Sequence, residues 1–313
     1  MRVLITGADG FVGGYLSRHL LESDPTTQII GTVHPSTHGP QQPVAGVCYV
    51  SCDIVASGGT EIRDLIREKR PDRIFHLAGR ASAAETDRVA IFEANVDGTL
   101  NVIRGADGVV PGNRVHVAST GYVYGACNAM KPAREDTALP PLDELNLYSQ
   151  SKVEMERRVQ AHGGAMITRA FNHTGPGQTT AFAVPAFCAQ IAAIERGHQC
   201  SIAVGNLEAI RDFLDVRDVV RAYALLIDRA EEGQIYNVCS GVPRKMADVL
   251  SALVSLAKVP VSVANDPGRA RTADNPFSVG DNGRLVELTG WEPEISFERT
   301  LSDTLEWWRS QTQ

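Results

Sequence analysis

Short apolar runs alternate with helix-length segments through the first half of this chain. The runs are VLIT (3–6), QIIGTV (28–33), VCYVSC (47–52), RIFHLA (73–78), RVHVAS (114–119) and AMITRA (165–170). The segments between them that predict helices lie near 11–22, 59–69, 87–104 and 147–162. Parallel strands need helical crossovers that cover both faces of a sheet. The alternation therefore predicts an α/β fold built on a doubly wound parallel sheet.

A glycine-rich turn follows the first run and opens the first predicted helix. Its sequence is Gly7-Ala8-Asp9-Gly10-Phe11-Val12-Gly13. Gly7 permits a tight turn, Gly10 lets backbone N–H groups approach a pyrophosphate, and Gly13 allows the helix to pack on the strand. This position, after a strand and before a helix, predicts a dinucleotide cofactor with Phe11 and Val12 beside its phosphates. A purely structural turn is the alternative.

The regular alternation breaks after residue 170. The Gly/Pro-rich stretch HTGPGQ (173–178) precedes a predicted helix at 183–196 and short strands near 201–204 and 235–239. We expect a dinucleotide-binding Rossmann domain over 1–170 and, mainly over 171–313, a smaller C-terminal lobe that binds the substrate. Later strands near 213–239 are expected to return to the first domain, so that the two lobes interleave.

The end of the second strand bears on the choice of coenzyme. An acidic residue there would hold the 2′-hydroxyl of NAD. Here the strand ends Thr32-Val33-His34-Pro35-Ser36, with neither a carboxylate nor an arginine, which mildly favours NADPH over NADH. His34 is a candidate cofactor contact, and Asp53, with Ile54 beside it, is placed to meet the adenine. An exposed turn aspartate is the other interpretation of Asp53.

Tyr148-Ser149-Gln150-Ser151-Lys152 begins a predicted helix. The i, i+4 spacing puts the phenol and the ammonium on one face. A nearby cation favours the phenolate, so we expect Lys152 to lower the pKa of Tyr148 and make it a usable proton donor or acceptor. Seven tyrosines and five lysines make a chance match rare in 313 residues, although an ordinary surface pair is the alternative.

The fifth strand ends in Ala118-Ser119-Thr120. Ligands of open α/β sheets bind at the carboxyl ends of the strands, so a hydroxyl there can reach a substrate oxygen. Thr120 is the better candidate for that role, and Ser119 is interpreted as a hydroxyl that caps the backbone.

These motifs together resemble the extended short-chain dehydrogenase/reductase family of nucleotide-sugar enzymes. They occur in that family's order and cover essentially the whole chain. The motifs are TGADGFVG (6–13), HLAG (76–79), Asn95 with Gly98-Thr99, Thr120, Tyr148 with Lys152, and RAFN (169–172). The resemblance implies a catalytic set of Thr120, Tyr148 and Lys152. It also places Leu77, Ala78, Gly79, Tyr148 and Lys152 at an NADPH or NADH site, where Lys152 holds the nicotinamide ribose.

Within this family the second half of the chain resembles the branch that acts on GDP-sugars. The stretches concerned are FNHTGPGQ (171–178), VGNLEA (204–209), RDFLDVRD (211–218), YNVCSG (236–241), DPGRAR (266–271), GDN (280–282) and LTGW (288–291). The resemblance implies reduction of the 4-keto group of GDP-4-dehydro-6-deoxy-D-mannose. A 4-epimerase that retains NAD and a reductase that forms the 6-deoxy-D-talose product stay open.

A departure from the family separates this chain from the dehydratases. They carry Asp/Glu or Ser/Glu at the two positions after the strand-end Thr, whereas this chain has Gly121 and Tyr122. No carboxylate is therefore expected where loss of water needs its general acid and base. We expect Tyr122 to contact the substrate instead.

A nucleotide diphosphate needs cations and donors, and arginine matches phosphate oxygens well. Arg211, Arg269 and Arg271 are the candidates, with Asn172 donating to the phosphate or the sugar. For any single arginine an ordinary surface position is equally expected, because 25 of the 30 basic residues are arginine.

Composition excludes several other classes of protein. A net charge of -7 argues against a nucleic-acid partner, and no run approaches the ~18 apolar residues of a membrane span. The six cysteines have no CxxC spacing, so neither a metal site nor a disulfide framework is expected. We expect a cytoplasmic protein and, by resemblance, a homodimer paired through the helices near 87–104 and 147–162. A catalytically idle dinucleotide sensor is disfavoured, because it would not need Thr120, Tyr148 and Lys152 together.

Overall fold

A computed structural model describes residues 1–37, 42–81, 86–126, 131–266, 268 and 275–311. Its main element is a seven-stranded parallel sheet with the order β10-β6-β5-β4-β1-β2-β3. The strands of this sheet are β1 (Arg2–Thr6), β2 (Gln28–Val33), β3 (Val47–Ser51), β4 (Arg73–His76), β5 (Val115–Thr120), β6 (Met166–Ala170) and β10 (Ile235–Val238). The predicted doubly wound parallel sheet is confirmed.

Helices cover both faces of this sheet. One face carries α1 (Phe11–Ser23), α7 (Val216–Arg229) and α9 (Gly283–Thr289). The other carries α2 (Ala56–Lys69), α3 (Arg88–Phe92), α4 (Gly98–Ala106) and α5 (Leu147–His162). Successive β1 side chains enter opposite cores, with Val3 and Ile5 in one and Leu4 in the other. Burial on both faces explains why these strands are continuous apolar runs.

A smaller lobe is built from the second half of the chain. Its four-stranded sheet has β9 paired with β7, β11 and β13, and a separate pair joins β8 to β12. These strands are β7 (Asn172–Thr174), β8 (Ser201–Val204), β9 (Ile210–Asp215), β11 (Pro243–Lys245), β12 (Ser262–Asn265) and β13 (Phe277–Ser278). Three helices share a core with them: α6 (Ala183–Glu195), α8 (Met246–Ser255) and α10 (Phe297–Ser310).

The path of the chain between the lobes differs in part from the expectation for the segment near 213–239. Of the two strands there, β10 pairs with β6 in the large sheet, whereas β9 lies in the small sheet. α7 connects them and packs on the large sheet. The return to the first domain therefore begins with the helix after β9.

The helix predicted over 87–104 is interrupted. α3 ends at Phe92, a π-helical turn spans Glu93–Asp97, and α4 begins at Gly98. A π turn inserts one residue into the helical ladder and often marks a functional position. Its extra residue leaves Asn95 fully buried, where its side chain bonds to neighbouring segments. Periodicity alone could not show this interruption, because the apolar pattern continues through it.

Across the described part of the chain, we find no helix that is both long and apolar enough to cross a membrane.

Candidate active site

A cavity of about 630 Å³ lies at the carboxyl edge of the large sheet, where the small lobe covers it. Its walls come from the glycine-rich turn, the ends of β5 and β6, the start of α5, and the β8, β9 and α6 region. Carboxyl ends of parallel strands meet at one edge, which is where ligands of such sheets bind. The cavity thus brings together the motifs that lie far apart in sequence.

The glycine-rich turn forms the floor of this cavity at one end. Gly7 has φ +69°, and a Cβ at Gly13 would lie 2.3 Å from the Gly7 carbonyl oxygen. Gly10 caps α1 without a side-chain hydrogen bond, so the first turn of the helix offers backbone N–H groups to the cavity. Phe11 and Val12 line the same wall. An anion at a helix N-terminus fits this arrangement, so these residues suit a dinucleotide pyrophosphate.

The other predicted cofactor residues fall into two groups. Leu77 and Gly79 line the cavity, and the Ala78 N–H between them donates to the Thr6 hydroxyl at 3.2 Å. Ile54 is buried, and a Cβ at Gly98 would meet its side chain. Leu77, Ala78 and Gly79 form the turn that follows β4, whereas Ile54 packs beside α4.

His34 and Asp53 lie at the ends of β2 and β3, outside the lining of the main cavity. The imidazole Nε2 of His34 is 3.6 Å from Asp53 Oδ2, and the two side chains are 55% and 28% exposed. The Asp53 carboxylate also accepts the Val55 N–H at 2.8 Å. A carboxylate therefore does lie beside the end of β2, but the third strand supplies it.

Thr120 and Tyr148 meet inside the cavity. Thr120 ends β5, is 5% exposed, and accepts the Tyr122 N–H at 3.2 Å. Tyr148 lies in the first turn of α5, whose N-cap Asn146 accepts the Ser149 N–H at 2.9 Å. The two hydroxyls are hydrogen-bonded to each other. A substrate oxygen could therefore meet both at once.

The predicted effect of Lys152 on Tyr148 is wrong for this structure. The Lys152 ammonium donates to the Ala118 carbonyl at 2.8 Å. Burial raises the pKa of Tyr148 to about 12, and its hydrogen bond to Thr120 opposes that shift only partly. Desolvation is the dominant influence on the phenol, and the ammonium is bonded to a carbonyl rather than to the phenol. Tyr148 is thus held protonated at neutral pH.

Of Tyr148 and Lys152, Lys152 has the pKa that lies closer to neutral pH. Its side chain is 9% exposed, and burial lowers its pKa to about 8, with the Glu156 carboxylate opposing that shift. Below that pH it is an ammonium, and above it a neutral amine. The charge state of this site therefore changes within the range in which enzymes are assayed.

This titration gives a testable pH dependence. If the ammonium is needed, kcat/KM should be constant at neutral pH and fall up to about tenfold per pH unit above 8, since that ratio reports ionisations of the free enzyme. Lys152→Arg should be slower but should lose this limb, because a guanidinium stays charged. Rate profiles of both proteins test this. A limb near pH 8 that persists in Lys152→Arg would assign the titration to another group.

Sequence reasoning gave Asn95 no role beyond the resemblance. Its carbonyl oxygen accepts the Arg80 N–H at 2.8 Å, and its amide donates to the Arg80 carbonyl at 3.0 Å and to the Ser151 hydroxyl at 2.9 Å. A Cβ at Gly79 would lie 2.7 Å from this side chain and 3.9 Å from the Lys152 ammonium. Asn95 therefore ties the loop after β4 to α5. The sequence feature that could have indicated this role is a polar asparagine within the apolar pattern of the helix predicted over 87–104.

A buried ion pair fixes α5 to the sheet behind the active site. Arg169 of β6 and Glu156 of α5 are 5% and 3% exposed, and their closest charged atoms are 2.7 Å apart. Ser119 also donates to Glu156, and Arg169 donates to the Tyr124 hydroxyl at 2.9 Å. Ser119, which the sequence suggested as a backbone cap, therefore bonds a side-chain carboxylate instead, and Thr120 is the strand-end hydroxyl left to a ligand. The pair lies one helical turn beyond Lys152.

The predicted substrate residues extend from the reactive end towards the small lobe. Tyr122, Asn172 and Arg211 all line the cavity. Arg211 is 5% exposed and donates to the Ile210 carbonyl at 2.8 Å. Arg269 and Arg271 lie outside the described residues.

A parallel sheet, a glycine turn and a Thr–Tyr–Lys group in one cavity define a dinucleotide-dependent enzyme of the short-chain dehydrogenase/reductase fold. Residues 3–239 match the NAD dependent epimerase/dehydratase family. The chain belongs to this family, whose members use NAD(P) and modify nucleotide-sugars. The extended short-chain dehydrogenase/reductase resemblance is confirmed.

Similarity to individual proteins extends over the whole chain. It is 31% identical to the GDP-6-deoxy-D-mannose reductase of Pseudomonas aeruginosa, covering 100% of this chain and 98% of that protein. It is 25% identical to the GDP-6-deoxy-D-talose 4-dehydrogenase of Aggregatibacter actinomycetemcomitans, with 97% of each covered. The solved structure of RMD from Pseudomonas aeruginosa with NADPH superposes with a TM-score of 0.82 at 30% identity and 99% coverage of both chains.

Proposed function

We propose that this protein reduces the 4-keto group of GDP-4-dehydro-6-deoxy-D-mannose to give GDP-D-rhamnose (GDP-6-deoxy-D-mannose). The observation that carries the proposal is the Thr120–Tyr148 hydroxyl pair in the cavity, beside Lys152 and with no carboxylate at residues 121 and 122. The similarity to a GDP-6-deoxy-D-mannose reductase supports the choice of substrate.

The proposed chemistry assigns a role to each of the three residues. A bound reduced nicotinamide supplies the hydride. Tyr148, protonated because burial raises its pKa to about 12, gives a proton to the developing alkoxide. Thr120 donates a hydrogen bond to the same oxygen. Lys152, held by the Ala118 carbonyl one helical turn beyond Tyr148, places a positive charge in the same cavity.

Packing at Gly121 supports a reductase over a dehydratase. A Cβ at this position would lie 2.8 Å from three carbons of the Phe171 ring. An acidic side chain at residue 121 would therefore have to displace a buried aromatic residue, which is 3% exposed. Tyr122 also lines the cavity, and a phenol with a reference pKa near 10 is a poor base at neutral pH. We propose that Tyr122 packs beside the C6 methyl of the deoxy sugar.

We propose that Arg211 and Asn172 bind the diphosphate or sugar of the GDP moiety. Both line the cavity, and Arg211 is almost fully buried. A buried guanidinium is well suited to a phosphate, because it gains charge-assisted hydrogen bonds when the anion enters. By resemblance, we propose that Arg269 and Arg271 also bind this diphosphate or sugar.

The coenzyme site is proposed to run from Gly7, Gly10, Phe11, Val12 and Gly13 towards Tyr148. NADPH stays mildly favoured over NADH, since a structural neighbour was solved with NADPH and no carboxylate belongs to the end of β2 itself. The proximity of Asp53 to His34 weakens this preference, because a carboxylate there would repel a 2′-phosphate. Comparing affinities for the two coenzymes would measure the balance.

The experiment is NMR analysis of the product formed from GDP-4-dehydro-6-deoxy-D-mannose with NADPH or NADH. We expect one coenzyme oxidised per sugar and a large H3–H4 coupling, which identifies the D-rhamnose product. A small coupling would identify the talose product. Tightly retained NAD without net consumption of added coenzyme would identify an epimerase. The protein should form no 4-keto sugar from GDP-D-mannose and NADP, and its formation at turnover rates would overturn the reductase assignment.

We also propose a homodimer that acts in the cytoplasm. The family resemblance places the interface on the helical segments near 87–104 and 147–162, in which α3 and α5 pack against each other. Val89 of α3 is 66% exposed, an apolar side chain that a partner could cover. Light scattering should give twice the 33.7 kDa of one chain. A mass of one chain at micromolar concentration would contradict the proposal.

A further inference from the structure

Two buried polar side chains in the cavity wall have an atom with no hydrogen-bond partner among the described residues. They are Gln178, 4% exposed, and Thr174, 1% exposed. The Gln178 amide nitrogen donates to the His173 carbonyl at 3.0 Å, which leaves Oε1 as an unpaired acceptor. The Thr174 hydroxyl is unpaired as well. Leaving a buried polar atom unpaired is unfavourable, so both atoms are suited to hydrogen-bonding a bound molecule.

These two residues lie on the cofactor side of the cavity. Thr174 ends β7, and Gln178 lies in the segment between β7 and α6, which is docked on α1. The Tyr15 hydroxyl donates to the Pro176 carbonyl at 2.8 Å. The His173 ring is parallel to the Phe11 ring, with centroids 6.4 Å apart. Because Phe11 begins the helix at the glycine turn, a molecule extending from that turn towards Tyr148 passes this segment.

We propose that Gln178 and Thr174 bind the carboxamide of the nicotinamide ring. A primary carboxamide offers N–H donors and one carbonyl acceptor. Gln178 Oε1 can only accept, so it takes the carboxamide N–H, and the Thr174 hydroxyl donates to the carboxamide oxygen. Two such bonds set which face of the ring is turned towards Thr120 and Tyr148. This inference rests on the proposed cofactor site.

The test is equilibrium binding by calorimetry, without sugar substrate, using whichever of NADPH and NADH binds the wild-type protein more tightly. Two further probes isolate the carboxamide. The matching ADP-ribose lacks the nicotinamide, and the 3-acetylpyridine analogue replaces the carboxamide NH2 by methyl while keeping the carbonyl.

The two variants should differ in a defined way. Gln178→Met should weaken coenzyme binding three- to tenfold and leave the acetylpyridine analogue within twofold, because the analogue has no N–H to lose. Thr174→Val should weaken both, because both keep the carbonyl. Neither variant should alter binding of the ADP-ribose by more than twofold. Gln190→Met is a matched control, since that buried glutamine is hydrogen-bonded at both ends of its amide within the small lobe.

Other outcomes would overturn the inference. Equal weakening of the ADP-ribose by Gln178→Met would mean that the variant distorts the glycine turn. Unchanged coenzyme binding with weaker GDP binding would assign Oε1 to the nucleotide-sugar. If the wild-type protein bound neither coenzyme nor ADP-ribose, the proposed cofactor site itself would fail, whereas coenzyme binding that is insensitive to both substitutions would refute the carboxamide contact alone.

Discussion

Tyr148→Phe should lower kcat by about 10²–10⁴-fold while coenzyme affinity stays within twofold. The substitution removes the group that donates the proton, and it leaves the ring in place. Thr120 keeps its hydrogen bond from the Tyr122 N–H, so the end of β5 should not move. Steady-state rates of reduction and a coenzyme titration on the same preparation give both quantities.

Tyr49→Phe is the matched control for this prediction. It removes a phenol hydroxyl that accepts the Val44 N–H at 3.0 Å, on β3 and outside the cavity lining. Its turnover should stay close to that of the wild type. Rates for Tyr148→Phe within threefold of the wild type would remove Tyr148 from proton transfer, and would favour Thr120 as the donor.

Arg169→Met should lower the free energy of unfolding by about 3–5 kcal/mol, because it leaves the Glu156 charge buried without its partner. Urea denaturation followed by fluorescence and by circular dichroism would measure the loss. Replacing both residues, with Glu156→Leu and Arg169→Met, should recover much of it. That recovery would show that the uncompensated charge, rather than lost packing, causes the destabilisation.

Arg158→Met provides the comparison on the same helix. Arg158 pairs with Glu154 at 2.7 Å, but the two side chains are 51% and 21% exposed. An ion pair that reaches solvent contributes about 0.2–1 kcal/mol, so this variant should unfold close to the wild type. If Arg169→Met lowered the free energy of unfolding as little as Arg158→Met, the prediction would be wrong. Water, or movement of the Glu156 carboxylate, would then have to stabilise the buried charge.

Much of the large sheet could be predicted from the sequence. A strand that is buried on both faces consists of consecutive apolar residues, and such runs are easy to find. The runs at 3–6 and 28–33 correspond closely to β1 and β2. The small sheet was harder to predict. β11 and β13 are two or three residues long, and β9 mixes charged with apolar residues in IRDFLD. Such strands are specified by their partners more than by their own composition.

In the candidate site, the sequence predicted which residues take part but not the surroundings that set their properties. The spacing of Tyr148 and Lys152 predicted their shared helix face, but not the Ala118 carbonyl that holds the ammonium. The pKa of Tyr148 depends on burial by segments distant in sequence, so a pairwise argument gave the wrong direction. Gln178 and Thr174 appear in the sequence as ordinary polar residues of a Gly/Pro-rich loop. Only the folded cavity leaves them without partners among the described residues.

The pairing of β10 with β6 bears on how this chain is assembled during synthesis. β6 is complete at residue 170, yet its outer neighbour begins at residue 235. Until then β6 is an unpaired sheet edge, open to association with other chains. Half of the small lobe's strands, β7, β8 and β9, emerge from the ribosome before that edge closes. The nucleotide-binding half therefore completes its sheet only with β10, and a fragment ending near residue 170 would carry the glycine turn and Tyr148 on a sheet whose β6 edge is unpaired.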